Sequence, residues 1–144
     1  MMKQGVVILA LFLLISGATL PDYGDSDDYE VPVILLVQKD EIRAFSGLTG
    51  NWVSLALKIG ERLVDNRADG NIAFAVTNQR ALGFSALTGL WAAVDLEIGE
   101  SLRSIEFGKD AVAVLTNKRV LGFSAQTGMW VAETLPLYDG TRLR

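Results

Sequence analysis

The sequence predicts an all-β fold of three four-stranded antiparallel repeats, and three observations lead to that prediction. One segment is written nearly three times at a spacing of 39 residues, beginning at Gln38, Thr77 and Thr116. Its apolar runs are too short for helices and are bounded by turn residues. No helical pattern separates the copies. Self-similarity at a period of 20 to 50 residues is typical of repeat architectures.

Identical residues recur in all three copies at an aromatic, a serine and a Thr-Gly-x-Trp position. They are Phe45, Phe84 and Phe123; Ser46, Ser85 and Ser124; Thr49, Thr88 and Thr127; Gly50, Gly89 and Gly128; and Trp52, Trp91 and Trp130. We interpret them as structural positions of the repeat. The serines have no candidate base, so we expect turn or ladder hydrogen bonds from them.

The N-terminus has the three-part layout of a secretory signal peptide. Lys3 precedes an apolar run, and the small residues Ser16, Gly17 and Ala18 follow it, so cleavage is expected after Ala18. The apolar run is short for a membrane span, which needs about 20 residues. The mature protein is therefore expected to be secreted or periplasmic, with membrane attachment only if residues 1–18 stay uncleaved.

Residues 19–30 are expected to form a disordered acidic linker, because they have no hydrophobic period. They carry five carboxylates, namely Asp22, Asp25, Asp27, Asp28 and Glu30. The run lacks the spacing of a calcium loop, so we prefer a solvated tether. The β-repeat domain then spans residues 31–144, with repeats at about 31–60, 61–99 and 100–144.

The middle repeat shows the first two strands of the unit most clearly. Residues 61–66 predict a strand, residues 67–70 a turn, and the apolar run 72–76 a strand buried on both faces. Residues 111–115 in the next repeat have the same apolar character, so the same double burial is expected there.

Two tight turns organise the second half of the repeat. Asn78 and Asn117 stand where a two-residue hairpin turn is needed, and asparagine tolerates the positive φ of such turns. A strand at 81–86, the Thr88-Gly89 turn and a last strand at 91–98 complete the unit.

Four short strands joined as a meander fit one blade of a β-propeller. Residues 123–130 resemble the strand-turn-strand of kelch repeats, and Thr-Gly followed by Trp is similar to quinoprotein-dehydrogenase-like (PQQ-like) repeats. The paired glycines of kelch repeats are absent at Val76-Thr77, and in the quinoprotein type the Trp stands one residue later. The resemblance implies propeller-like blades and no particular activity. A β-trefoil or another threefold all-β fold is the alternative.

The composition excludes several kinds of chemistry. There is no cysteine and no histidine, so thiolate sites and Ser-His-Asp or Cys-His constellations cannot form within the chain. Residues 31–144 carry 12 acids and 12 bases, which gives no concentrated positive field for nucleic acid. Arg80 and Arg119 are expected to be exposed hairpin residues with cross-strand partners, and Glu41 takes their place in the first repeat.

We predict that the protein is not an enzyme and has no catalytic residue, cofactor or metal site. The carboxylates offer no spacing that separates an acid-base pair from surface charge; they are Asp65, Asp69, Asp95, Glu97, Glu100 and Glu106. We expect a binding or scaffold module that presents its blade loops to a protein or polysaccharide. The alternative is a threefold lectin-like domain whose tryptophans stack on sugars, whereas we expect each tryptophan to pack between adjacent sheets.

A homodimer is expected from the positions at which the first repeat begins and the last repeat ends. The first repeat begins at its second strand, residues 31–37, and residues 140–144 match the beginning of the strand that the other repeats have first. Known propellers have four to eight blades, so three are too few to close a ring. We therefore expect residues 141–144 to pair with a second copy, giving six blades with a twofold axis. A trefoil would instead close within one chain.

Overall fold

The computed structural model describes residues 33–136, and all of their regular structure is β-strand. The strands are β1 (Val33–Val37), β2 (Glu41–Ser46), β3 (Asn51–Ala56), β4 (Leu63–Asp69), β5 (Ile72–Thr77), β6 (Arg80–Ser85), β7 (Leu90–Asp95), β8 (Leu102–Phe107), β9 (Ala111–Thr116), β10 (Arg119–Ser124) and β11 (Met129–Thr134). Within this range no helix is long and apolar enough to cross a bilayer. The predictions of a signal peptide, an acidic linker and a strand at 141–144 lie outside the described residues.

The strands form three separate antiparallel sheets, each made from one repeat. The first sheet has the order β1-β2-β3, the middle sheet β4-β5-β6-β7 and the third sheet β8-β9-β10-β11. Every hydrogen-bonded neighbour within a sheet is also a neighbour in sequence. The prediction of an all-β fold of antiparallel repeats is therefore confirmed for residues 33–136.

The three sheets stack in the order of the chain. The middle sheet contacts the first through β4, β5 and β7, and the third through β5 and β7. Both faces of the middle sheet are covered, so every residue of β5 and β6 is buried. The double burial expected for residues 72–76 is thus observed, and the largest core side chains include Phe74, Phe84 and Phe123.

The same expectation for residues 111–115 is wrong. Val112 and Val114 of β9 are buried, whereas Ala111 and Leu115 are exposed. The reason is positional, because within the described chain the third sheet has a neighbour on one face only. Apolar composition alone does not distinguish a strand in the middle of a stack from one in a terminal sheet.

Two local predictions in the repeat are also wrong. The strand expected at residues 61–66 is β4, which begins at Leu63 and continues to Asp69. Glu61 belongs to a turn, since its N–H donates to the carbonyl of Lys58 at 3.0 Å. In the described part of the chain, no residue other than glycine has a positive φ, so Asn78 and Asn117 are not needed for that conformation.

Candidate functional site

A buried glutamate lies at the end of the middle sheet opposite the Thr-Gly turn. The Glu61 carboxylate accepts hydrogen bonds from Arg80, with Nε at 2.7 Å from Oε1 and Nη2 at 3.1 Å from Oε2. The Thr77 hydroxyl donates to Oε1 at 2.8 Å, and the Lys58 N–H donates to Oε2 at 2.6 Å. The Glu61 side chain is fully buried. We call Glu61, Thr77 and Arg80 the middle clamp.

The third sheet repeats this arrangement with Glu100, Thr116 and Arg119, the third clamp. Arg119 donates through Nε to Oε1 at 3.0 Å and through Nη2 to Oε2 at 2.8 Å. Thr116 donates to Oε1 at 2.7 Å, and the Glu97 N–H donates to Oε2 at 2.7 Å. Bidentate, charge-assisted hydrogen bonds of this kind are strong and directional. Each clamp therefore defines one conformation for the chain around its glutamate.

In the middle and third sheets, the hairpin between the second and third strands holds the clamp in place. The Thr77 hydroxyl accepts hydrogen bonds from the N–H groups of Gln79 and Arg80, at 3.1 and 3.0 Å. Asn78 accepts from the Arg62 N–H at 2.7 Å and donates to the Gly60 carbonyl at 3.1 Å. The role of Asn78 is thus to join the hairpin to the segment before β4, and Asn117 makes equivalent bonds to Ser101 and Gly99.

Each clamp arginine also joins its own sheet to the preceding one. Arg80 Nη2 donates to the Ala56 carbonyl in the first sheet at 2.8 Å, and Arg119 Nη2 donates to the Asp95 carbonyl in the middle sheet at 2.9 Å. Lys58, which follows the last strand of the first sheet, forms an exposed ion pair with Asp95 of the middle sheet at 3.2 Å. The clamp end of the repeats is therefore bonded across every sheet boundary in residues 33–136.

The clamp lowers the pKa of both glutamates. Burial by itself raises each pKa, but hydrogen bonds from the arginine, a backbone N–H and the threonine outweigh it and lower the pKa of Glu100 to about 2. The pKa of Glu61 is lowered for the same reasons. The hydrogen bond to Glu100 raises the pKa of Arg119. Both carboxylates are therefore ionised at neutral pH and are unsuited to act as general acids.

A tight turn precedes each clamp glutamate and presents an isoleucine at its tip. In the turn Lys58-Ile59-Gly60-Glu61, Gly60 has φ of 74° and the chain closes through the Glu61 N–H to Lys58 carbonyl bond. A positive φ at the third position is characteristic of a type II turn. The side chain of Ile59 has no cover, with an exposed fraction of 102%.

The equivalent turn before Glu100 places Ile98 in the same way, with an exposed fraction of 97%. Gly99 has φ of 73°, and the Lys118 ammonium donates to the Ile98 carbonyl at 2.6 Å. The Gln79 amide donates to the Ile59 carbonyl at 3.2 Å. Hydrogen bonds thus hold the turn residues before and after each exposed isoleucine. We call Ile59 and Ile98 the isoleucine tips.

The sequence prediction for Arg80 and Arg119 is wrong. Their side chains are only 9% and 14% exposed, and they bond to the clamp glutamates rather than to cross-strand residues; Arg119 also lies 3.8 Å from the Glu97 carboxylate. Glu61 was not singled out, and Glu100 was grouped with carboxylates that could not be told from surface charge, because each glutamate lies 19 residues before its arginine. The available signal was the recurrence of glutamate, threonine and arginine at separations of 16 and 19 residues in two repeats.

The tryptophan and phenylalanine positions that recur in the three repeats have different environments in the three sheets. The Trp91 indole N–H donates to the Val53 carbonyl of the first sheet at 2.9 Å, and that of Trp130 to Ala92 of the middle sheet at 3.1 Å. Phe84 and Phe123 are buried, each beside its own sheet's tryptophan. Trp52 departs from the expected packing between sheets, because 47% of its surface is exposed.

The Thr-Gly turns and the serines also connect adjacent sheets. Gly50, Gly89 and Gly128 have φ between 65° and 70°, and Thr88 of the middle sheet lies against Gly128 of the third. Thr49 of the first sheet lies similarly against Gly89, whereas Thr127 is exposed. Ser85 caps its own turn by accepting from the Thr88 N–H and donates to the Ala125 carbonyl in the third sheet at 2.5 Å. Ser46 donates to Ala86 in the same manner.

The remaining carboxylates do not converge on a metal site within residues 33–136. Asp69 and Glu97 form exposed ion pairs with Arg67 and Lys118, at 3.4 and 3.6 Å. No protein-family model matches the sequence, and comparison with curated proteins finds no match.

Proposed function

We propose that this protein is a secreted or periplasmic, non-enzymatic binding module of propeller-like blades, and that it presents Ile59 and Ile98 to a protein partner. The full exposure of both isoleucines on equivalent, clamped turns carries this proposal. The localisation rests on the N-terminal sequence, which has the layout of a signal peptide.

The stacking of the sheets supports the blade interpretation over the trefoil. In the described residues every strand pairs only with strands of its own repeat, and the sheets meet face to face. This is the arrangement of neighbouring propeller blades. The likeness of residues 123–130 to kelch and PQQ-like repeats points the same way, without carrying over an activity.

The chemistry of the tips favours a protein over a polysaccharide. A fully exposed aliphatic side chain offers no hydrogen bond to a sugar, but it gains free energy when it is buried in an apolar pocket of a partner. The clamp holds the turn before binding, which reduces the conformational entropy lost in the complex. Face-to-face sheets pack about 10 Å apart, so two adjacent tips can contact one partner surface.

The environments of the three repeat tryptophans give less support to the lectin alternative than to a protein-binding module. Trp91 and Trp130 pack against the core clusters between the sheets, and their indole N–H groups donate to carbonyls of the preceding sheet, so these rings are poorly placed to form sugar-stacking platforms. Trp52 is the only one of the three repeat tryptophans with close to half of its surface exposed.

Site-specific photo-cross-linking tests the binding proposal. A photoreactive benzophenone amino acid is placed at Ile59 or Ile98, and as a matched control at Leu48, which is 54% exposed at the opposite end of the first sheet. We expect one discrete protein adduct from positions 59 and 98 in cells that secrete the chain, and no such adduct from position 48. Unlabelled wild-type chain should reduce the yield.

Ile59→Ser and Ile98→Ser together should abolish the adduct and leave the thermal unfolding midpoint unchanged, because neither side chain is packed. Equal adducts from both ends of the sheets, or none from positions 59 and 98, would contradict the proposal. Binding to a glycan array that needs Trp52 would favour the lectin alternative instead.

A further inference from the structure

The two outermost faces of the stack are apolar and uncovered within the described chain. The outer side of the first sheet carries Ile34, Leu36, Glu41, Arg43, Phe45 and Trp52, which we call the head face; Ile34, Leu36 and Trp52 are 45 to 47% exposed, and Arg43 is ion-paired with Glu41. The outer side of the third sheet carries Ala111, Ala113, Gly122, Met129, Val131 and Glu133, which we call the tail face. Met129 and Val131 are 62% and 70% exposed.

The boundary between the middle and third sheets shows how such faces fit together. A Cβ added to Gly83 would lie 2.7 Å from the Phe123 ring, so the phenyl group of the third sheet sits directly on that glycine. The Trp130 indole donates to the Ala92 carbonyl, and the Ser85 hydroxyl donates to the Ala125 carbonyl. The first boundary repeats the indole and hydroxyl bonds with Trp91 and Ser46.

If the contacts between the middle and third sheets are repeated one repeat further along, the head face of a second copy lies on the tail face of the first. Phe45 takes the place of Phe123, and Gly122 takes the place of Gly83. Above Gly122 the position is open, because the nearest atom to an added Cβ is the Val131 carbonyl oxygen of its own sheet at 4.0 Å. In this arrangement the Trp52 indole is positioned to donate to the Val131 carbonyl.

The two faces are complementary in size. Ile34 and Leu36 stand where the middle sheet has Ala73 and Ala75, so the head face is bulkier than its counterpart. On the tail face, Ala111 and Ala113 replace Ile72 and Phe74 of the middle sheet. The small residues leave a groove of about 640 Å³ lined by Ala111, Ala113 and Gly122 among others. Large residues on one face thus meet small ones on the other.

Their charges are complementary as well. At the boundary between the middle and third sheets, Val94 packs against the core cluster that contains Leu121. The residues one repeat further along are Glu133 on the tail face and Arg43 on the head face. An apolar pair inside the chain is therefore replaced by two exposed residues of opposite charge. Within its own chain Arg43 donates through Nε to Glu41 at 2.6 Å, so Glu133 would become the second carboxylate partner of this arginine.

We propose that the head face of one chain docks on the tail face of a second copy, and that two chains close a ring of six sheets. A head-to-tail interface produces a ring when its rotation closes. Known propellers have four to eight blades, and six is the only multiple of three in that range. This proposal rests on the blade arrangement proposed above, but it requires neither the isoleucine tips nor residues 137–144.

One contact found at both covered sheet boundaries, the arginine hydrogen bond to the preceding sheet, cannot form between the two copies. Glu41 stands where Arg80 and Arg119 donate to the preceding sheet, and a carboxylate cannot donate to the Thr134 carbonyl that would face it. The interface between copies therefore lacks a clamp and depends on the apolar contacts, the indole bond and the Arg43–Glu133 pair. It is the weakest boundary of the ring.

Sedimentation equilibrium of the full chain in the absence of any ligand tests the ring. We expect a particle with twice the mass of the single chain, which is 15.6 kDa when residues 1–18 are retained. Glu133→Arg should raise the dimer dissociation constant at least about tenfold, because it opposes Arg43 with a like charge at both interfaces. Adding Arg43→Glu to Glu133→Arg should recover most of that loss. Arg62→Glu reverses an exposed charge in the segment before β4, away from both outer faces, and should leave the dissociation constant unchanged.

Gly122→Trp gives an independent test, since it fills the slot for Phe45 and should yield a monomer with an unchanged far-UV circular dichroism spectrum. A wild-type monomer, an open polymer or a trimer would overturn the proposal, and so would a double charge reversal that fails to recover the dimer. Because binding at the isoleucine tips is measured separately by cross-linking, failure of the ring and failure of the binding function can be distinguished.

Discussion

At the scale of single residues, Glu61 and Glu100 carry the most concentrated chemistry in the described chain. Each is an ionised carboxylate with a fully buried side chain, and each is saturated by an arginine, a threonine and a backbone N–H. Removing two charges from water is costly, and good geometry compensates for that cost. We therefore regard the clamps as devices that specify the conformation of the isoleucine turns rather than as sources of large net stability.

Breaking a clamp should be strongly destabilising. Arg119→Met leaves Glu100 buried without its partner, and we expect it to lower the free energy of unfolding by roughly 3 to 5 kcal/mol. Lys58→Met is the control, because it removes an exposed ion pair with Asp95 and should cost less than about 1 kcal/mol. Urea unfolding at one protein concentration measures both. Equal losses would show that the clamp is not buried in the way described.

The lowered pKa of Glu100 makes stability depend on acidity. A group whose pKa is about 2 in the folded state and 4.5 ordinarily stabilises the fold in full above about pH 5, and that contribution is lost as the pH falls toward 2. Glu61 acts in the same direction. We expect Glu100→Gln to be less stable than wild type at neutral pH and to lose less stability between pH 5 and pH 2. Parallel stability curves for the two chains would refute this assignment.

At the scale of elements, a glycine of the middle sheet lies directly under an aromatic ring of the third sheet. Gly83 on β6 lies under the Phe123 ring of β10, whereas Gly122 on β10 faces open space. The two glycines occupy the same repeat position, so they differ only in whether a sheet covers them. They form a matched pair for measuring packing at a sheet boundary.

Alanine at these two positions should have opposite effects. Gly83→Ala places a methyl group within 2.7 Å of the Phe123 ring and should cost roughly 1 to 3 kcal/mol by overpacking. Gly122→Ala meets no neighbouring sheet within one chain and should be neutral or stabilising by up to about 1 kcal/mol. Chemical unfolding measures both variants in a Glu133→Arg background, which removes assembly. A stabilising Gly83→Ala would mean that the sheets are further apart than described.

At the scale of the whole molecule, the stack has two covered boundaries and two uncovered faces within residues 33–136. The covered boundaries combine apolar packing with indole and serine hydrogen bonds, and each has a clamp arginine. The uncovered faces carry large apolar side chains, the Arg43–Glu41 ion pair on one face and Glu133 on the other. Apolar faces of this extent are typical of interaction surfaces.

Assembly through these faces should make thermal stability depend on concentration. Mass action favours the associated state, so a tenfold rise in protein concentration should raise the unfolding midpoint of the wild-type chain by roughly 2 to 4 °C. The Glu133→Arg chain should show no such rise at low micromolar concentration. Calorimetric scans over three concentrations provide the measurement. A midpoint independent of concentration in both chains would argue against assembly.

The sequence by itself determined the features that depend on residues close together in the chain. The 39-residue period, the division into three antiparallel sheets and the Thr-Gly turns at Gly50, Gly89 and Gly128 follow from local patterns and turn chemistry. The burial of β5 followed from its unbroken apolar run. For each of these features, the physical cause lies within a few residues of the effect.

Only the tertiary structure decided which groups are enclosed. The sequence predicts that Arg80 is an exposed residue of a hairpin, yet its side chain is buried. It donates to Glu61 in the preceding turn and to the Ala56 carbonyl in the preceding sheet. Residues 111–115 form an apolar run like residues 72–76, yet one face of β9 is exposed because the third sheet lacks a second neighbour in the described chain. Burial is a property of the neighbours that a residue acquires on folding, so identical repeat residues acquire different environments.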